Sequence, residues 1–243
     1  MLRSFIKDHN LSIGRDMFFD LLRENGLLIR KRRGRKPRTT FSDHWYRKYE
    51  NLIVGLVPTM PNQLWVSDIT YIHLQDEFAY LNLMTDAYSH KVVGFYLCRD
   101  LSASGTVLAL KMALKGIPKR DKMSSQLIHH SDRGLQYCCY EYVKLLQDNF
   151  INISMTQSGD PLENAVAERM NGILKCELLE EVYPDLPDAQ TAIAQAISIY
   201  NHLRPHGSID MLTPIQAHEK TGLLKRHWKN YYPKKKKEVI FEV

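Results

Sequence analysis

Three acidic residues stand in contexts where a carboxylate needs a reason. Asp68 interrupts the strand-like run WVSDITYI, Asp132 follows the apolar run LIHHS, and Glu168 lies inside PLENAVAERMNGILKCEL. By two-residue alternation Asp68 shares a strand face with Val66, Thr70 and Ile72, where burying an unpaired charge is costly. Asp132 sits just past the C-terminal end of its strand, the edge at which open α/β sheets place ligand sites. Taken singly, each has a plainer reading: an ion pair with a neighbouring Lys or Arg for Asp68, and an Asx turn or helix cap before Gly134 for Asp132. Brought together, three carboxylates repel one another unless divalent cations neutralise them. Hard oxygen ligands suit magnesium or manganese, and two such ions about 4 Å apart serve in-line displacement at phosphorus. The chemistry this trio could do is phosphoryl transfer.

The segment around Glu168 reads as a helix with two working sides. Asp160 can cap it, Pro161 suits its first position, and Glu163 completes a capping box. Leu162, Val166, Met170, Ile173 and Leu174 make an apolar side, whereas Asn164, Glu168, Asn171 and Lys175 line up along one polar edge. That edge is either a solvated face or the place where Glu168 meets Asp68 and Asp132.

The elements that must position these residues follow from the pattern. QLWVSDITYIHL, EFAYLNLMTD and HKVVGFYLCRD read as three strands of an antiparallel meander. A helix from Ser102 to about Lys115, a strand over Gln126–His129, a helix over Tyr137–Asn149 and a strand over Ile151–Met155 come next. This order predicts an α/β fold, a mixed five-stranded sheet with helices packed on it. Helices are expected again over Asp188–His202 and Pro214–Gly222, the second capped by Thr213. Near the N-terminus Met17, Phe18, Leu21 and Leu22 recur at helical spacing before an Asn25-Gly26 stop. The expected division is a small helical N-terminal segment with a basic linker (1–57), a catalytic core (58–182) and a C-terminal helical extension with a basic tail (183–243).

Composition narrows the partners. In 243 residues, 44% hydrophobic and 25% charged, the chain has an ordinary globular profile, and its formal net charge of +6 favours an anionic partner. The run RKRRGRKPR places Arg30, Lys31, Arg32, Arg33, Arg35, Lys36 and Arg38 on an extended arm suited to DNA phosphates, and Lys234–Lys237 adds a second cationic run. No run approaches the roughly 18 apolar residues of a membrane span, and no signal-peptide core is present, so a cytoplasmic protein is expected. The four cysteines lack framework spacing. His129 and His130 point to opposite strand faces, and the adjacent Cys138 and Cys139 rarely share one ion, which argues against zinc.

In these blocks the chain resembles the retroviral-integrase (DDE) superfamily, whose aspartate, aspartate, glutamate signature matches Asp68, Asp132 and Glu168. Thirty-five residues separate the last two, and Lys175 follows Glu168 by seven. Within that superfamily it is most similar to bacterial insertion-sequence transposases of the second-reading-frame (OrfB) type, through TYI, LMTDAYSHKVVGF, SDRGLQY, YNHLRPHGSI and LTPIQAH. The resemblance implies a ribonuclease H-like fold and metal-dependent DNA cleavage that frees a 3′ hydroxyl for strand transfer, without a covalent protein–DNA intermediate. It implies Mg2+, with Mn2+ as substitute, held by Asp68, Asp132 and Glu168, and it turns Lys175 and Asn171 toward DNA. It makes the Arg204-Pro205-His206 block an organiser of the helices after the core. The implied partners are the insertion-sequence ends and target DNA, further copies of the chain on DNA, and an upstream-frame helix-turn-helix partner or fusion, all at the bacterial nucleoid. Two other readings stay open: a nuclease of the same fold that cuts and never joins, and a DNA-binding protein that has lost the chemistry.

Overall fold

The computed structural model describes residues 9–10, 12–28, 44–117, 126–157 and 164–227. Two sequence features, the RKRRGRKPR arm with its seven cations and the Asp160-Pro161-Glu163 helix start, lie outside them, as does Lys234–Lys237.

Strands β1 (Leu64–His73), β2 (Phe78–Asp86) and β3 (Val92–Cys98) form the expected antiparallel meander, and β4 (Ile128–Ser131) and β5 (Asn152–Met155) join parallel to β1. The sheet order is β3-β2-β1-β4-β5. β1 is therefore central, and its burial on both faces explains its nearly continuous apolar run. Trp65 and Ile69 enter one core, and Ile72 the other, as the alternation requires. Seven helices occur among the described residues: α1 (Arg15–Glu24), α2 (Ala103–Lys115), α3 (Leu135–Cys138), α4 (Tyr140–Asp148), α5 (Ala165–Ile173), α6 (Leu186–Leu203) and α7 (Pro214–His218). None of them is long and apolar enough to cross a membrane.

One face of the sheet is covered by α2, α3 and α4, which bury Leu110, Leu127, Tyr142 and Leu146 against Trp65 and Met84. On the other face α5 and α6 place Met170, Ile173, Ile193 and Tyr200 on Leu81, Leu83 and Val92. Each such large apolar side chain contributes about 1.5–3 kcal/mol on burial. Tyr183 and Ile193 belong to that second core, which is continuous across the boundary expected at 182/183. The outer strand β5 is flanked by the segment before β1: Met155 N–H donates to Glu50 O (3.2 Å) and Leu52 N–H to Ser154 Oγ (2.9 Å). That cover shields an edge open to foreign pairing.

Three elements differ from expectation. The helix anticipated over Tyr137–Asn149 is two helices, because Cys139 is extended (φ −67°, ψ 151°) and serves as the C-cap of α3 and the N-cap of α4. The break lets Tyr137 and Cys138 enter the same core as Tyr142 and Leu146. β4 lies two residues later than the apolar run suggests, because its pairing with β1 and β5 fixes the register at Ile128–Ser131. The last helix stops at His218, well before Gly222, whose φ of +92° is left-handed.

Candidate active site

Asp68 occupies the middle of β1, on the face toward α5, as its alternation with Val66 and Ile72 dictates. It is half-buried; Oδ1 accepts from Ile69 N–H (2.9 Å) and Oδ2 from the Asn171 amide (2.6 Å). Burial first, then the charge of Asp132 and more weakly that of Glu168, lift its carboxyl to about 7, against the lowering effect of those two hydrogen bonds.

Asp132 reaches Asp68 through the parallel pairing of β1 and β4. Val66 is level with His130, and Asp132, just past the end of β4, lies close enough to Asp68 for its charge to act on that carboxyl. Its Oδ1 accepts from Gly134 N–H (2.9 Å), the Asx turn foreseen as its plainer role. A Cβ on Gly134 would stand 2.9 Å from Asp132 Oδ1 and 3.1 Å from Gln136 Oε1, so any larger residue has to shift the ends of those side chains.

Glu168 lies on the exposed side of α5, between two fastenings of that helix to β1. The polar edge runs along the strand: Asn164 Nδ2 donates to Ser67 O (2.9 Å), Asn171 Nδ2 to Asp68, and Lys175 Nζ to Thr70 Oγ1 (3.2 Å) and Tyr71 O (2.8 Å). Lys175 also sits 4.0 Å from the Tyr71 ring centroid. Eleven helical steps rise about 16 Å, while four strand steps rise about 13 Å, so the two elements run nearly in step. The edge is therefore a seam. Asn171, expected to turn toward DNA, is 8% exposed and donates its amide to Asp68. Lys175 is half-buried on β1 as well.

α5 passes into a π-turn (Leu174–Leu178), closed by Leu179 N–H reaching back to Leu174 O (2.9 Å). Such turns occur mostly as single insertions near working residues. Here Lys175 grips the strand from one side, and Glu177 meets the Arg204 guanidinium from another. Neither the π-turn nor the Glu177 pair was anticipated; the only signal was the charge of Arg204 within YNHLRPH.

On the opposite face of β1, Ser67 Oγ and Tyr142 OH each stand 2.8 Å from His129 Nε2. Full burial drives His129 down to about 3, so the ring is neutral and the cluster is a hydrogen-bonded floor under the strand that carries Asp68. His130 turns the other way and bonds Ser154 Oγ through Nδ1 (2.8 Å).

The oxygens along this seam are hard donors: the carboxylates, and the buried Oδ1 atoms of Asn164 and Asn171, which lack a hydrogen-bond partner among the described residues. That donor set fits a magnesium-type cation. Among the described residues no group of three or more His, Cys, Asp or Glu side chains is drawn close enough to hold an ion, so Asp68, Asp132 and Glu168 form a neighbourhood and not a closed cage.

Comparison with known proteins agrees with this architecture. Two families, both described as Integrase core domain, match residues 58–161 and 149–214. An uncharacterised 31 kDa protein of insertion element IS600 from Shigella sonnei is 33% identical over 223 residues, covering 90% of this chain and 80% of that protein. The transposase InsF of insertion sequence IS3A from Escherichia coli K12 is 30% identical over 202 residues, covering 82% of this chain and 68% of that protein. In fold, the chain matches one from a cryo-EM structure of a simian T-cell lymphotropic virus intasome in complex with PP2A regulatory subunit B56 gamma. The TM-score is 0.58 at 21% identity, over 77% of this chain and just under two thirds (64%) of that chain. The sheet and its flanking helices have the ribonuclease H-like arrangement of integrase catalytic cores. With its two integrase-core matches and relatives of this length and identity, the chain belongs to the bacterial insertion-sequence transposases of the integrase (DDE) superfamily.

Proposed function

We propose that this chain cleaves a DNA strand at the end of an insertion sequence and transfers the freed 3′ hydroxyl to a target phosphodiester. The observation that carries this reading is Asp68 in mid-β1 under the charge of Asp132, just past the end of the parallel strand β4, beneath a helix that presents Glu168 and is sewn to β1 at Asp68 itself. Asp68, Asp132 and Glu168 would hold the divalent cation, magnesium with manganese as substitute, which when bound supplies Lewis-acid activation of oxygens at the scissile phosphate. Asn171 and Ile69 N–H orient Asp68 and favour its charged form, and the Gly134 N–H orients Asp132. Lys175 sets the helix on the strand, and the Arg30–Arg38 run contacts backbone phosphates in a sequence-independent way. Residues 58–182 form the catalytic core of this reading, with several copies of the chain assembled on paired DNA ends in the bacterial cytoplasm and an upstream-frame helix-turn-helix partner or fusion aiding end recognition.

The test uses a labelled DNA end with a free 3′ hydroxyl and a separate target duplex. Branched joints formed with Mg2+ and lost in Asp132→Asn, with DNA binding retained, are the expected result. Shortened strands without joints identify a nuclease instead.

A further inference from the structure

The C-terminal run YNHLRPH makes a wedge between the β2–β3 turn and the helix that carries Glu168. Tyr200 OH donates to His90 O (3.0 Å), and the Asn201 side chain takes both backbone groups of Val92, donating to its O and accepting from its N–H at 3.0 Å each. These contacts anchor the end of α6 on the sheet. From that anchor Arg204 reaches across to the π-turn: Nε donates to Glu177 Oε2 (2.7 Å) and Nη2 to Glu177 Oε1 (2.9 Å). The two side chains are only 14% and 22% exposed, so this is a two-point, largely desolvated ion pair of the kind that fixes orientation as well as proximity. His206, stacked edge-on against Tyr200 with 5.0 Å between ring centroids, backs the guanidinium. The same wedge touches α5 again near its start, where Tyr200 and His90 line a small cleft with Val166, Arg169 and Met170.

We infer that Arg204 is a positioning residue for strand transfer: through Glu177 it fixes the π-turn that ends α5, and with it the pose of the helix presenting Glu168. A π-turn is a local insertion in the helical ladder and relaxes by shifting its neighbours. Lys175 holds it from the β1 side, and Glu177, two residues on, is held by Arg204. Without Arg204, a largely buried Glu177 carboxylate loses its cation and pulls the turn toward water. Glu168 lies on the same continuous helical segment, so that movement changes how it approaches Asp68 and Asp132.

This inference rests on the strand-transfer reading, and the experiment separates the two. The full chain, Arg204→Ala, Glu177→Gln, Arg204→Lys and the exchanged pair Arg204→Glu with Glu177→Arg are compared by Mn2+ uptake, read from the free-ion electron paramagnetic resonance signal, and by joint formation against Mn2+ concentration. Arg204→Ala and Glu177→Gln are expected to raise the half-saturating Mn2+ concentration about tenfold, the low end of the effect of losing a direct partner of a metal ligand, because they act on Glu168 through the helix. Excess Mn2+ then restores part of the joining, Arg204→Lys is intermediate, and the exchanged pair recovers part of the lost affinity. Folded Arg204→Ala with unchanged Mn2+ uptake and joining overturns the inference. Should Arg204→Ala not fold, an unchanged half-saturation in both Arg204→Lys and Glu177→Gln overturns it equally. A natural chain that neither takes up Mn2+ nor joins strands overturns the transposase reading itself.

Discussion

Asn171 and Asp68, 103 residues apart in the chain, meet across 2.6 Å, and the amide of one favours the charged form of the other's carboxyl. Burial and the Asp132 charge work against that form and bring the carboxyl up to about 7. Replacing Asn171 with Ala removes one of the two opposing hydrogen bonds and leaves that of Ile69 N–H, so Asp68 is protonated over a wider range. Metal-dependent cleavage by Asn171→Ala is expected to fall about tenfold to a hundredfold at neutral pH. Its pH profile moves to higher pH. A profile identical to that of the natural chain would remove Asn171 from this role.

Gly134 leaves room for the carboxylate that lies two residues before it. With a Cβ only 2.9 Å from Asp132 Oδ1, Gly134→Ala has to displace that side chain. Misplacement of a reacting group by about 1 Å costs on the order of a hundredfold in rate. Cleavage is expected to drop by at least tenfold while the urea midpoint changes little. Full activity with alanine here would show that Asp132 has freedom to spare.

Asn201 is a stability residue, and its replacement tests the wedge from another side. It is 7% exposed and satisfies both the N–H and the C=O of Val92. Asn201→Ala leaves both strand groups without these partners, which costs about 1–3 kcal/mol. Urea denaturation monitored by tryptophan fluorescence measures it. Loss of less than about 0.5 kcal/mol would mean that water replaces the amide at no cost.

Acid sensitivity follows from three histidines held neutral by burial. His90 is driven down to about 4, and His129 and His206 to about 3, from an ordinary value near 6.5. Between those values the unfolded chain binds more protons than the folded one, so stability falls as pH drops below about 6.5 and continues to fall toward pH 4. Asp68 opposes this: its folded carboxyl is raised from 3.8 to about 7, so the folded state binds the extra proton and is favoured in the same window. Three groups outweigh one. Thermal melts at pH 7.5 and 5.0 are expected to give the lower midpoint at pH 5.0, and the reverse order would contradict the buried-neutral assignment.

The meander and the location of Asp68 were readable because β1 is a β-branched and aromatic run buried on both faces, and a carboxylate in the middle of such a strand is conspicuous. Helical spacing likewise identified which residues share the edge of α5. It left undetermined what that edge faces, since an amide bonding to solvent and an amide bonding to Ser67 O have the same sequence signature. The break at Cys139 was hidden for a related reason. Tyr137, Cys138, Tyr142 and Leu146 are all apolar core positions, and their spacing is compatible with one uninterrupted helix. Arg204 and Glu177 are 27 residues apart, on elements whose approach depends on how α6 packs across the sheet. No local pattern announces such a pair.

The position of α5 so late in the chain has a bearing on synthesis. A ribosome delivers the sheet with Asp68 and Asp132 first, the strand-bound helix next, and Arg204 only after α6 has emerged. A nascent polypeptide arrested before that point holds two of the three carboxylates beside the sheet and the third on a helix fastened to β1. Such an incomplete product carries all three carboxylates and lacks the Arg204 contact that ties the end of α6 to the π-turn.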